Sequence, residues 1–153
     1  RAGSADTGAL TSSLRGFLTA VQPGDYLALL AYLPGTPQHE TAMAALANQV
    51  RSWVRAPVTV NMGPRYLHST GQLHKGGPAT GVFVIITVSA DSDVAIPGEA
   101  FGFDQLNLAQ AEGDYRVLAG LDRRVIRVHL SCPTDMGLEK LSACLETDAM
   151  ASG

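Results

Sequence analysis

Cysteine is scarce in this chain, charge is sparse, and no long apolar run is present. Cys132 and Cys144 are the only cysteines in 153 residues. Two are too few for a disulfide framework, and their separation is not that of metal ligands. They read as reduced thiols, which points to a cytoplasmic protein. A membrane span requires about 20 consecutive apolar residues. The longest such run here, Gly81 to Val88, has only the length of a strand, and no signal-peptide pattern opens the chain. Charged residues make up 16% of the sequence and the net charge is −3, with no basic run or stripe. That balance gives neither nucleic acid nor an anionic membrane a reason to bind.

What remains is an ordinary globular composition, 46% apolar and rich in glycine. The length suits one domain able to bury a real core. Residues 1–8 and 147–153 are expected to fray. The start at Arg1, in a small-residue segment, suggests a piece excised from something longer.

Along the chain, helix and strand signals alternate. Thr7 or Thr11 can cap a first helix carrying Leu10, Leu14, Phe17, Leu18 and Val21 at helical spacing. Pro23-Gly24-Asp25 stops it, and Tyr26 to Leu33 is almost wholly apolar, as in a strand buried on both faces. Thr36 is a good N-cap and Pro37 a good first residue for a helix to about Val54, with Met43, Leu46, Ala47, Val50 and Trp53 facing inward. Val58 to Asn61 is a short strand and Val82 to Val88 a third, rich in β-branched residues. After an irregular connection, Phe103 to Glu112 reads as helix, with Phe103, Leu106 and Ala109 or Gln110 in register. Gly113-Asp114 is expected to break and recap it before a shorter helix to about Leu121. A fourth strand, Val125 to Leu130, precedes a last helix from Pro133-Thr134 through Leu145. This order predicts an α/β, doubly wound, mainly parallel sheet of about four strands with helices on both faces.

Ligands of such sheets bind beyond the carboxyl ends of the strands. The stretch from Gly63 to Pro78 follows the second strand and holds two of the four histidines, an arginine, a lysine, the two aliphatic hydroxyls of Ser69 and Thr70, and four glycines. Core packing does not call for that mixture. His68 and His74 are six residues apart, which on one helix places them on different faces, so no shared metal is expected. Ser69, Thr70 and Gly71 can cap a helix, or present free N–H groups to a phosphate or a sugar hydroxyl. Lys75-Gly76-Gly77 lacks the spacing of a Walker phosphate loop and can equally be a helix end and a turn. Arg65 is a candidate anion contact or a solvated side chain. Outside this stretch, His39 reads as an exposed surface residue and His129 as a packed, hydrogen-bonded strand residue. Arg123, Arg124 and Arg127 read as a solvated edge or interface. Cys132, at the end of the fourth strand, can approach the ligand edge but has no identifiable base.

The run Tyr66-Leu67-His68-Ser69-Thr70-Gly71-Gln72-Leu73-His74-Lys75-Gly76-Gly77-Pro78 resembles the corresponding segment of the phosphoglucose isomerase half of bifunctional transaldolase/glucose-6-phosphate isomerases. Flanking matches are Gln22 to Tyr26, Phe101-Gly102-Phe103, Ala109-Gln110-Ala111, Gly113-Asp114 and Arg123 to Arg127. The resemblance runs from about Leu10 to Leu130. It implies a sugar-isomerase (SIS-like) fold and interconversion of glucose 6-phosphate and fructose 6-phosphate, a step of glycolysis and gluconeogenesis, with no cofactor. That chemistry uses an acid/base pair to open the ring, a carboxylate to move a proton through an enediol, and donors to hold the phosphate.

Position by position, the resemblance makes His68, His74 and Lys75 the catalytic candidates, with either histidine able to be the ring opener. Arg65, Ser69, Thr70, Gln72 and Gln105 become the substrate-binding candidates, Gln105 through its Phe103-Asp104-Gln105 context. The signature's lysine would fall on Glu112, and Lys75 is the substitute cation. The base-bearing glutamate segment and the phosphate loop belong to the other sugar-isomerase half and are not recognisable in this sequence. The resemblance therefore implies a carboxyl-terminal domain, inactive alone, partnered by the remainder of the isomerase chain and dimeric with its like. The alternative is a non-catalytic module for sugar-phosphate binding or dimerisation.

Overall fold

The computed structural model describes residues 5–89, 93–130 and 133–146. Helix α1, Ala5–Leu18, leads to strand β1, Tyr26–Tyr32, helix α2, Pro37–Val54, and strand β2, Val58–Met62. A single 3₁₀ turn, Arg65–His68, precedes helix α3, Thr70–Gly76, and strand β3, Gly81–Val88. Helix α4, Phe103–Gly120, strand β4, Arg124–Leu130, and helix α5, Thr134–Glu146, complete the order.

All four strands are parallel, in the order β2-β1-β3-β4. The chain therefore steps to one side of β1 to make β2, then crosses back over β1 to make β3 and β4. Right-handed crossovers in opposite directions carry their helices to opposite faces. Accordingly α1, α2 and α5 cover one face of the sheet, while the 3₁₀ turn, α3 and α4 cover the other. The fold is the doubly wound α/β architecture that the alternation predicts.

The two faces divide β1 by alternate residues. Leu27, Leu29, Ala31 and Leu33 join Met43, Leu46, Val50, Leu138 and Leu141 in the larger core. Ala28, Leu30 and Tyr32 join Tyr66, Phe83, Ile85, Ala111 and Leu118 in the smaller one. Burial on both faces explains why β1 and β3 read as unbroken apolar runs. Helix α2 begins as expected: Thr36 Oγ1 accepts the His39 N–H at 3.2 Å, and Pro37 occupies the first turn. It ends at Arg55 in the left-handed conformation, just before Pro57.

Several local expectations give way to packing. Helix α4 is continuous through Gly113 and Asp114. Asp114 is not a cap: its side chain turns inward among Ala111 and Leu118 and finds its partners there. The register of Phe103, Leu106 and Gln110, which signals the helix in sequence, lies away from its core-facing side. His39 is buried rather than exposed, with Nδ1 2.8 Å from the Pro34 carbonyl and Nε2 3.1 Å from Asp135 Oδ1, so it ties α2 to α5. Trp53 is not a core residue. Its indole stays partly exposed, donates to the Leu145 carbonyl at 3.0 Å and lies under the Arg15 guanidinium.

The basic residues around β4 are structural, not a free solvated edge. Arg124 grips Asp25 through both carboxylate oxygens, at 2.7 and 2.9 Å. That hydrogen bonding holds the Asp25 carboxyl below its ordinary range despite burial. Arg123 donates to the carbonyls of Lys75 and Gly77, and Arg127 pairs with Glu112. His129 is hydrogen-bonded as expected, to Thr87 and Ser89, but on the exposed side of edge strand β4. Cys132 lies outside the described residues, and Cys144 is a buried free thiol.

Candidate functional site

The direction of winding reverses between β1 and β3, and a crevice opens beyond their carboxyl ends, where such folds hold ligands. A cleft of about 660 Å³ occupies this place. Its floor and near wall come from the ends of the strands: Leu33 to Gly35 after β1, Met62 to Arg65 after β2, and Val88 of β3. Its far wall is the start of α4, with Phe103, Leu106, Asn107 and Gln110, together with Asp93 and Val94. The lining is mainly apolar, with the Asn107 and Gln110 amides, the Arg65 guanidinium and the carboxylates of Asp93 and Asp104 as its polar groups. That is the usual composition of a small-molecule site.

Among the described residues, Arg65 is the single cation of the lining. Its guanidinium is held 3.1 Å from Glu40 Oε1 and remains largely exposed, so the pair can open toward an incoming anion. Across the cleft, Asp93 caps α4. Oδ1 accepts the Asp104 N–H at 2.7 Å and Oδ2 the Gln105 N–H at 3.4 Å. Gly102 is needed there, because a β-carbon on it would fall 2.2 Å from the Asp93 carboxyl carbon. A carboxylate already satisfies the start of the helix.

The remaining residues of the polar stretch do not gather in this cleft. Helix α3 runs from the carboxyl edge back toward the amino edge of the sheet, and it carries His74 and Lys75 with it. His74 is buried. Its Nδ1 lies 2.9 Å from the Tyr26 hydroxyl at the start of β1, and its ring packs edge-on against Phe83. Its Nε2 has no hydrogen-bond partner among the described residues. Burial pushes the imidazole pKa below its ordinary value, against the raising influence of Asp114.

Lys75 faces Asp114, with Nζ 2.8 Å from Oδ1. The approach lies off hydrogen-bonding geometry, so the contact is a charge pairing. The other carboxylate oxygen accepts the Tyr66 hydroxyl proton at 2.5 Å, and the Tyr66 and Tyr32 hydroxyls are 3.2 Å apart. Burial raises the pKa of both phenols, that of Tyr32 to about 12. The four groups form one polar chain inside the smaller core.

His68 ends the 3₁₀ turn exposed to solvent. Ser69 Oγ donates to the Tyr66 carbonyl at 3.3 Å, Thr70 Oγ1 donates to Asn61 Oδ1 at 3.0 Å, and Gln72 donates to the Leu67 carbonyl at 3.2 Å. Gln105 is exposed beside the Asp93 cap. Of the eight candidates, the structure places only Arg65 in the cleft wall. Lys75 belongs to the buried network, His74 is buried beside it against Tyr26 and Phe83, and the other five lie on the surface. Among the described residues, no group of three His, Cys, Asp or Glu side chains could hold a metal ion. No helix there is long and apolar enough to cross a membrane.

Sequence reading missed Asp93, Asn107, Gln110 and Asp114. For Asp114 a signal existed: it shares the inward register of Ala111 and Leu118, so a continuous helix would have buried it. Asp93 carried none, because its role depends on a loop folding back onto α4.

Comparison with protein-family models gives no match, and comparison with curated proteins gives no significant one. Among solved structures, a hypothetical protein from Thermus thermophilus is similar over 90% of this chain, with a TM-score of 0.71 and 21% identity. At that identity the likeness is one of fold. This chain spans 38% of the Thermus chain's length.

Proposed function

We propose that this chain is a sugar-phosphate-binding α/β domain whose site is the cleft at the switch point, with Arg65 as the anion contact. The observation that carries the reading is the placing of one openable guanidinium at the mouth of an apolar cleft in the ligand position of this fold. Asn107 and Gln110 would then serve the sugar hydroxyls. Lys75 and His74, packed toward the amino end of the sheet, do not touch the ligand.

Titration calorimetry with fructose 6-phosphate and 6-phosphogluconate tests this. Binding is expected, and Arg65→Ala should weaken it by about 10- to 100-fold, the worth of a charge-assisted hydrogen bond. No heat at millimolar ligand with a folded domain would sink the reading.

A second reading, a catalytic glucose-6-phosphate isomerase domain, is favoured by one feature. His68 is exposed in the same turn as Arg65, free to enter a site completed by another polypeptide. It rests on the resemblance of the segment from Tyr66 to Pro78. Isomerase activity of the intact gene product should fall in His68→Ala. Unchanged turnover in both His68→Ala and His74→Ala would reject it.

A further inference from the structure

The cleft at the switch point carries more carboxylate than cation. Arg65 is already answered by Glu40, 3.1 Å away. On the far wall Asp93 is occupied too, because its two oxygens accept the N–H groups of Asp104 and Gln105. With that cap in place the start of α4 has its acceptor, and a second carboxylate is not needed there. Asp104 supplies one all the same. It lines the cleft and is half-buried, and among the described residues its carboxylate has no hydrogen-bond or ion-pair partner. The helix dipole favours an acid in the first turn of α4, but a fully solvated side chain would serve that purpose. A half-buried carboxylate without a partner gives up hydration for nothing within the chain.

We infer that Asp104 is a cation subsite, and that the preferred ligand carries a protonated amine at the end remote from its phosphate: a phosphorylated amino sugar. This rests on the reading of Arg65 as the phosphate contact and adds the opposite end of the ligand to it. The two groups stand on facing walls, Arg65 after β2 and Asp104 at the start of α4. One ligand meets both when its opposite charges sit at its two ends. In glucosamine 6-phosphate the phosphate is on C6 and the amine on C2. Its ammonium would supply the cation that the far wall lacks and donate a charge-assisted hydrogen bond to Asp104. A hydroxyl in the same place donates a weaker one. A ligand carboxylate there meets like charge from Asp93 and Asp104, between mainly apolar walls where screening is reduced. The cleft therefore grades sugar phosphates by the charge at the sugar end, cation over neutral over anion. Asn107 and Gln110 serve the remaining hydroxyls whatever that charge is.

Titration calorimetry of the folded chain at neutral pH, with glucosamine 6-phosphate, glucose 6-phosphate and 6-phosphogluconate, tests it. Each step down that series should weaken binding on the order of 10-fold, the worth of a charged contact in a partly exposed site. The spread should narrow as salt is added. Asp104→Asn should bring the three ligands to within about 3-fold of one another. Asp104→Ser is the second variant should the first lose its circular dichroism spectrum. Glu99→Gln removes an exposed carboxylate from the same connection but outside the lining, and should leave the spread as it is. Three ligands that bind alike, each weakened by Arg65→Ala, would overturn this inference and leave the phosphate reading standing. So would a spread that Asp104→Asn and Asp104→Ser do not change. No heat from any of the three would remove both.

Discussion

Replacing Lys75 by methionine isolates what the buried network contributes. The substitution keeps the length of the side chain and removes its charge, leaving the Asp114 carboxylate buried, at 4% exposure, with only the Tyr66 hydroxyl as partner. Breaking a buried pair from one side typically costs about 3–5 kcal/mol. The Lys75 side chain is 26% exposed, so water reaches that end of the pair and a cost below that range, about 2–3 kcal/mol, is expected. For a domain of this size that corresponds to a melting temperature lower by roughly 4–12 °C. Urea denaturation should show a reduced midpoint with an unchanged slope. Asp114→Asn should cost less, because the amide still accepts from Tyr66 and Lys75 can turn to solvent. The double variant Lys75→Met/Asp114→Asn should then recover about 1–2 kcal/mol relative to additivity. A Lys75→Met protein within about 0.5 kcal/mol of the parent, or a strictly additive cycle, would refute the reasoning. It would also return Lys75 to the list of side chains free to meet a substrate.

Two further outcomes follow from the same core. His74 has its pKa lowered by burial, so below about pH 6.5, the ordinary value, the unfolded chain binds a proton that the folded one resists. Stability should therefore decline as pH falls from 6.5 toward the lowered folded value, by up to about 1.4 kcal/mol per pH unit from this group. Asp25 adds to the decline only below the ordinary carboxylate range. Chemical denaturation of the parent and of His74→Phe between pH 7 and 5 should show the slope in the parent alone; an equal slope in both would remove His74 as its source. Gly63→Ala should cost about 1–3 kcal/mol by overpacking, since the new methyl would fall 2.8 Å from ring carbons of Tyr32, a fully buried side chain. Thermal melts decide that one, and an unchanged midpoint would mean that the Tyr32 ring can move.

Short-range patterns in the sequence determine much of this protein. The burial of β1 and β3 on both faces is written in their unbroken apolar runs, and the start of α2 in Thr36-Pro37. The alternation of helix and strand fixes the doubly wound class. These features depend on side-chain periodicity and backbone preference within a few residues, which a linear reading contains. The ligand edge is legible in the same way, because it follows from strand direction.

Only the tertiary structure decided which chemistry reaches that edge. The stretch from Gly63 to Pro78 looks like one polar island in sequence. In space it is a descending segment: Arg65 stays at the cleft, while α3 carries His74 and Lys75 beneath the sheet's other end. Asp114 resembles a helix cap because caps and buried ion-pair partners use the same residue type. What separates them is whether Lys75 and Tyr66, far away in sequence, arrive beside it. Helix α4 offered two registers with apolar residues, 103/106/110/117 and 111/118. Local propensity cannot choose between them. The choice fell to the sheet, against which Ala111 and Leu118 fit closely, leaving the bulkier register outside.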